Sequence, residues 1–149
     1  MKKFRFTLSR MLDFKNQILD REKDALGVLR RKKNEIDLKI ETYEQQLAHA
    51  AEEMLQDQKR GTTAARLRFY SMQLDNAKKC LKQLRKEQAA MQAEVDRQAA
   101  VVRKASQEVS SLEKLKEKQW EQYQYEEKQA AAAEVLEFVS GRLVRQPKK

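Results

Sequence analysis

From Leu67 onward, apolar residues recur in alternating steps of three and four: Leu67, Tyr70, Leu74, Ala77, Leu81, Leu84, Met91, Val95, Val102, Ala105, Val109 and Leu112, broken by Gln88 and Gln98. A 3.5-residue period held over this length specifies one helix with a narrow coiled-coil seam of left-handed supercoil. A similar stripe precedes it, through Leu8, Leu12, Leu19, Leu26, Leu29, Ile36, Ile40, Tyr43, Leu47, Ala50 and Met54. Lys15, Glu22 and Lys33 interrupt this stripe, and Met11, Phe14, Ile18 and Ala25 widen its apolar face near the N-terminus.

Between the stripes lies Lys59-Arg60-Gly61-Thr62-Thr63. Gly61 suits the left-handed backbone that ends a helix, and Thr62 or Thr63 suits the N-cap of the next. The capping box is incomplete, because Ala65 or Arg66 stands where Glu or Gln would reach back. The chain therefore reads as all-α: a long two-helix antiparallel coiled-coil hairpin, a single domain over 1–149, with an overhanging C-terminal helix. The expected bounds are about 5–59 for the first helix, 60–63 for the turn and 64–140 for the second helix, with Gly141 and Pro147 ending it before a basic tail over 141–149.

Composition excludes the alternatives. Three Gly and one Pro in 149 residues are too few for the turns of a β-sandwich or a βαβ fold. Charged residues make up 37%, against about 25% in an ordinary domain. One cysteine, Cys80, and one histidine, His49, cannot build a disulfide, a zinc site or a Cys/His nucleophile pair. Neighbouring carboxylates such as Glu52-Glu53 and Glu126-Glu127 fall on polar helix faces without a pocket, so no enzyme activity, cofactor or metal is expected. The chain has no run of 18 apolar residues, and residues 1–10 lack the apolar core of a signal peptide, so a soluble intracellular protein is expected, without membrane insertion.

Charge comes in blocks. Residues 34–58 carry one basic and seven acidic side chains, and residues 59–104 carry twelve basic and four acidic ones. Folding back at Gly61 sets these blocks against each other, with Glu35, Glu41 and Glu44 expected near Lys86, Lys79 and Lys78. Each exposed pair contributes about 0.2–1 kcal/mol, and the summed pattern opposes a register slip. Because acidic blocks offset the net charge of +9, nucleic acid is not the expected partner. The same folding leaves about residues 117–140 unpaired, with Trp120, Tyr123, Val135, Leu136 and Phe138.

Two apolar groups fall off the seams. Phe69, Met72 and Cys80 form a strip on the outer flank of the second helix, either a slightly wider core or a docking strip. Phe4, Phe6, Met11 and Phe14 lie at the same end as the overhang, as a local cluster or a partner surface, with Arg5, Arg10, Arg142 and Arg145 able to meet carboxylates. His49 reads as a solvated helix residue, and Gly27 allows either a bend or a close approach.

Two strings, their order and the turn between them resemble the FliJ family, the small coiled-coil component of the bacterial flagellar type III export apparatus. The opening Phe4-Arg5-Phe6-Thr7-Leu8-Ser9-Arg10-Met11-Leu12-Asp13-Phe14-Lys15 is similar to that family's aromatic-x-aromatic start and Leu-rich first heptad. Leu112-Glu113-Lys114-Leu115-Lys116-Glu117-Lys118, followed by Tyr123, Glu126 and Glu127, is similar to its closing signature. The resemblance implies a hairpin like the two-helix stalk of the rotary ATP synthase gamma subunit, in the cytoplasm at the flagellar base. It implies as partners the hexameric export ATPase, the cytosolic domain of the membrane export gate, and export chaperones. By position, Phe4, Arg5, Phe6, Met11, Phe14, Trp120, Tyr123, Leu136 and Phe138 would meet the ATPase. Phe69, Met72 and Cys80 would meet the gate, in a segment less aromatic than in some relatives. A monomeric hairpin is expected; the rival readings are a parallel homodimeric scaffold paired through the second seam, and a holdase chaperone.

Overall fold

A computed structural model of the chain describes residues 3–145. Two helices account for nearly all of them: α1, Ser9–Arg60, and α2, Ala64–Arg145. They pack as two compact units, a turn-containing unit over Arg21–Arg103 and a terminal unit formed by the chain on either side of it.

Gly61 ends α1 with a φ of 87°, the left-handed conformation a side chain would disfavour, and its N–H donates to the Gln58 carbonyl at 3.4 Å. Thr63, rather than Thr62, is the N-cap of α2: its hydroxyl accepts from the Arg66 N–H at 3.3 Å, and its carbonyl accepts from the Leu67 N–H at 3.2 Å. Gly141 behaves differently. It keeps an ordinary helical backbone inside α2, which continues to Arg145, past the expected end near residue 140. A glycine stops a helix where it turns left-handed and a cap follows, and Gly141 is followed by Arg142 and Leu143 instead. Pro147 and residues 146–149 of the expected tail lie outside the described residues.

The start of α1 also differs from expectation. The Ser9 N–H donates to the Phe6 carbonyl at 3.1 Å and the Leu12 N–H to the Leu8 carbonyl at 2.9 Å, so the helix begins at Ser9. Residues 3–6 precede it as non-helical chain, with Phe6 buried.

In the turn-containing unit, the contacts Glu22 to Gln98, Asp37 to Gln88, Glu44 to Arg85 and Asp57 to Tyr70 descend along α2 as they ascend along α1, which makes the pairing antiparallel. Leu26 and Ile40 of α1 and Tyr70, Leu81 and Val95 of α2 form its core. The terminal unit pairs in the same sense, Phe4 with Trp120 and Lys15 with Glu108, around Phe6, Leu12, Leu19, Ala105 and Val109. Every seam position read from the two stripes is buried or half-buried. Among the described residues no side chain is completely enclosed, as expected of a seam only two helices deep. Each well-covered Leu or Ile still contributes about 1.5–3 kcal/mol.

The polar breaks Glu22, Gln98, Gln88 and Lys15 are met across the seam, and Lys33 is met along its own helix. The Gln98 amide donates to both the carboxylate and the main-chain carbonyl of Glu22, the latter at 3.0 Å. The Gln88 amide donates to Asp37 at 2.6 Å, and Asp37 also receives Lys33 at 3.7 Å. Lys15 reaches Glu108 at 2.8 Å. Such layers are satisfied in one register and orphaned in a slipped one. The exposed pairs differ from those expected: Glu44 pairs with Arg85 at 3.3 Å instead of Lys78, and among the described residues Glu35 and Glu41 make no ion pair. Arginine's longer fork reaches a carboxylate displaced along the seam, and the freely solvated lysines have little to gain from ordering.

Candidate partner-binding surfaces

In the terminal unit, Trp120 and Tyr123 are three residues apart on α2 and so lie side by side, stacked with ring centroids 5.7 Å apart and planes at 22°. The non-helical segment before α1 brings Phe4 to both, at 5.0 Å from Trp120 in an edge-on arrangement and 5.5 Å from Tyr123. In extended chain residues two apart share a side. Phe6, two residues on from Phe4, is 6% exposed and belongs to the core. Trp120 and Tyr123 are thus not part of an unpaired overhang, which begins after them.

From residue 124 to residue 143 every position is exposed. Leu136 is 67% and Phe138 69% exposed, and Phe138, Val139, Arg142 and Leu143 border a shallow depression. Met11 and Phe14 on α1 are also exposed, as are Arg5, Arg10 and Arg142. Of the nine residues assigned to an ATPase surface, Phe6 is buried, Phe4 and Tyr123 are half-buried, and the other six are open.

In the turn-containing unit, Phe69 and Met72 are 57% and 72% exposed and border one depression with Gln73, Asn76 and Lys79. Cys80 is half-buried and opens on an adjoining groove against Tyr43, Leu47 and Ala50 of α1. Gln73 and Asn76 border both, so the strip is continuous but polar between its aromatic end and the thiol. His49 lies along that groove, 3.0 Å from Glu53. Nothing lies within 4 Å of the place a Cβ would occupy at Gly27, so that glycine makes no close approach.

Among the described residues, Tyr70 and Glu108 titrate away from their ordinary ranges. Tyr70 donates its hydroxyl to Asp57 at 2.7 Å, and this hydrogen bond, with burial behind it, raises the phenol above its usual value. Arg66, 3.1 Å from the same carboxylate, opposes that shift. The hydrogen bond and charge of Lys15 hold the Glu108 carboxyl below the usual carboxylate value.

The satisfied polar layers escaped the sequence reading, although their signal was present: Glu22 and Gln98 are breaks in both stripes and fall opposite each other once the chain folds at Gly61. Among the described residues no three His, Cys, Asp or Glu side chains gather as a metal site requires, and no helix is long and apolar enough to cross a membrane.

The comparison with known families agrees with the geometry. No curated protein and no solved structure matches the chain. The sequence model of the flagellar FliJ protein family matches residues 4–148, which takes in the aromatic opening, both helices and the turn. The chain belongs to the flagellar FliJ protein family.

Proposed function

We propose that this component of the flagellar export apparatus is a non-catalytic, stalk-like hairpin that binds the hexameric export ATPase and promotes its assembly and turnover. In the same reading it engages the cytosolic domain of the membrane export gate and export chaperones, at the inner face of the membrane beneath the flagellum. The observation that carries the ATPase assignment is the fully exposed stretch over 124–143, where Leu136 and Phe138 present large apolar side chains to solvent. Contiguous exposed apolar surface of this kind marks a protein contact. Trp120, Met11 and Phe14 are exposed elsewhere in the same unit, and Arg5, Arg10 and Arg142 supply guanidinium groups for carboxylates. Phe6 and Phe4 act by position, holding the N-terminal segment so that Arg5 and Trp120 keep fixed places.

The mechanism is linkage. A hairpin that binds the assembled ring more tightly than loose subunits shifts the equilibrium toward the ring and so toward turnover. The gate contact falls to Phe69 and Met72, with Cys80 at its margin, on a separate unit.

Crossed variants test the division. Leu136→Asp with Phe138→Asp should abolish ATPase stimulation and leave gate binding intact. Phe69→Asp with Met72→Asp should do the reverse. All four positions are exposed, so helicity should persist in both. Normal binding of both partners by both variants would refute the assignment.

A further inference from the structure

Nine residues, about two and a half helical turns, separate Phe69 from Lys78, which places Lys78 on the opposite side of α2 from the Phe69 and Met72 strip. On that side a groove runs along the turn-containing unit. Its floor is Leu47 of α1 with Leu81 and Ala89 of α2, and its rim is Lys78, Lys82, Arg85 and Lys86. No carboxylate lines it. Glu44, which pairs with Arg85, is the one acidic partner of the rim, and among the described residues Lys78, Lys82 and Lys86 have no ion pair.

We propose that this groove docks an acidic amphipathic helix of a partner protein, as a third helix laid along the hairpin. The rim cations stand at 78, 82 and 85–86, the four-and-three spacing at which a partner helix repeats its own face. From Lys78 to Ala89 the groove extends about 16 Å, room for some three turns. Carboxylates of the partner meet the rim while its Leu or Ile side chains cover Leu81 and Ala89. The charge complementarity selects an acidic partner, and the apolar floor selects a helix with one greasy face. Nucleic acid fits less well, because no aromatic side chain lines the groove to stack a base. A membrane surface fits less well too, because Leu47, Leu81 and Ala89 between the cations make too narrow an apolar strip to enter lipid. The site shares Leu47 with the groove beside Cys80 but contains none of the residues assigned to the gate or the ATPase, so it survives if either of those assignments fails.

The test uses the full chain at physiological salt, where loose charge attraction is screened. The probe is a fluorescent helical peptide with Leu along one face and Glu flanking it; the comparison is a scrambled peptide of the same composition. Lys82→Glu with Lys86→Glu should weaken the amphipathic peptide about tenfold or more, as should Ala89→Glu, whereas Arg30→Glu with Lys32→Glu, an equal charge change on α1, should weaken it less than about threefold. Circular dichroism of each variant should stay native, since all these side chains are exposed. Equal effects of the two double variants, or equal binding of the scrambled peptide, would overturn the proposal. So would tighter binding of a DNA oligonucleotide or a phosphatidylserine vesicle through the same lysines.

Discussion

The layer formed by Glu22 and Gln98 allows the register argument to be tested quantitatively. Gln98 donates to two acceptors on Glu22, one on the side chain and one on the main chain. A hydrogen bond to a charged group contributes about 1.5–3 kcal/mol when well shielded. Both residues are half-buried, so water competes and the side-chain bond should contribute about 1 kcal/mol. Gln98→Ala removes both bonds and should destabilise by about 1.5 kcal/mol, whereas Glu22→Ala keeps the carbonyl acceptor and should destabilise by about 1 kcal/mol. Glu and Gln lose similar helix propensity relative to Ala, so that contribution cancels in a double-mutant cycle. Urea unfolding followed by circular dichroism at the helical band gives the four stabilities, and the coupling should be about 1 kcal/mol. The Gln92 to Asp96 hydrogen bond, within one helix and exposed, is the comparison, with a coupling of about 0.3 kcal/mol. A cross-seam coupling no larger than that one, or Glu22→Ala the more damaging substitution, would refute the reasoning.

Glycine substitutions should have opposite signs: Gly27→Ala should raise stability by about 0.8–1 kcal/mol because open space awaits the methyl group, and Gly61→Ala should lower it by about 1–2 kcal/mol at a φ of 87°, both read by thermal unfolding. Phe4→Ala should shift the emission of Trp120, the chain's one tryptophan, to longer wavelength with little loss of helicity, since it removes a ring from the indole's edge. The Glu108 carboxyl sits below its ordinary value, so the stability from Lys15 is present at neutral pH and is lost as pH falls through the lowered value. Glu108→Gln should remove that acid-side loss. Tyr70 shifts the other way: its contribution is full below the ordinary phenol value and is lost as pH rises through the raised one, and Tyr70→Phe should flatten the alkaline limb.

The stripes were legible because a two-helix seam must repeat every three and four residues. Leu12, Leu26, Leu81 and Val95 could be read off spacing alone. The aromatic opening was not legible as structure, because Phe4 and Phe6 follow no helical period and the ring partners of Phe4 lie more than a hundred residues away. Exposed charges were the least legible. Glu44 pairs with Arg85 rather than Lys78, and the spacing of the stripes does not encode which exposed cation of the facing helix a carboxylate meets. Gly61 and Gly141 show the same limit in the backbone: one ends a helix and the other does not, and the difference lies in the capping residues that follow.

The central claim is that the exposed C-terminal stretch of α2 couples this hairpin to the export ATPase. Its most direct test is turnover by the export ATPase of the same genome as the chain is titrated in, with ring assembly followed by light scattering. Saturable stimulation that rises together with hexamer formation, and is lost with Leu136→Asp and Phe138→Asp, is the predicted result. A folded, helical chain that neither binds the ATPase nor alters its rate or assembly would contradict the account.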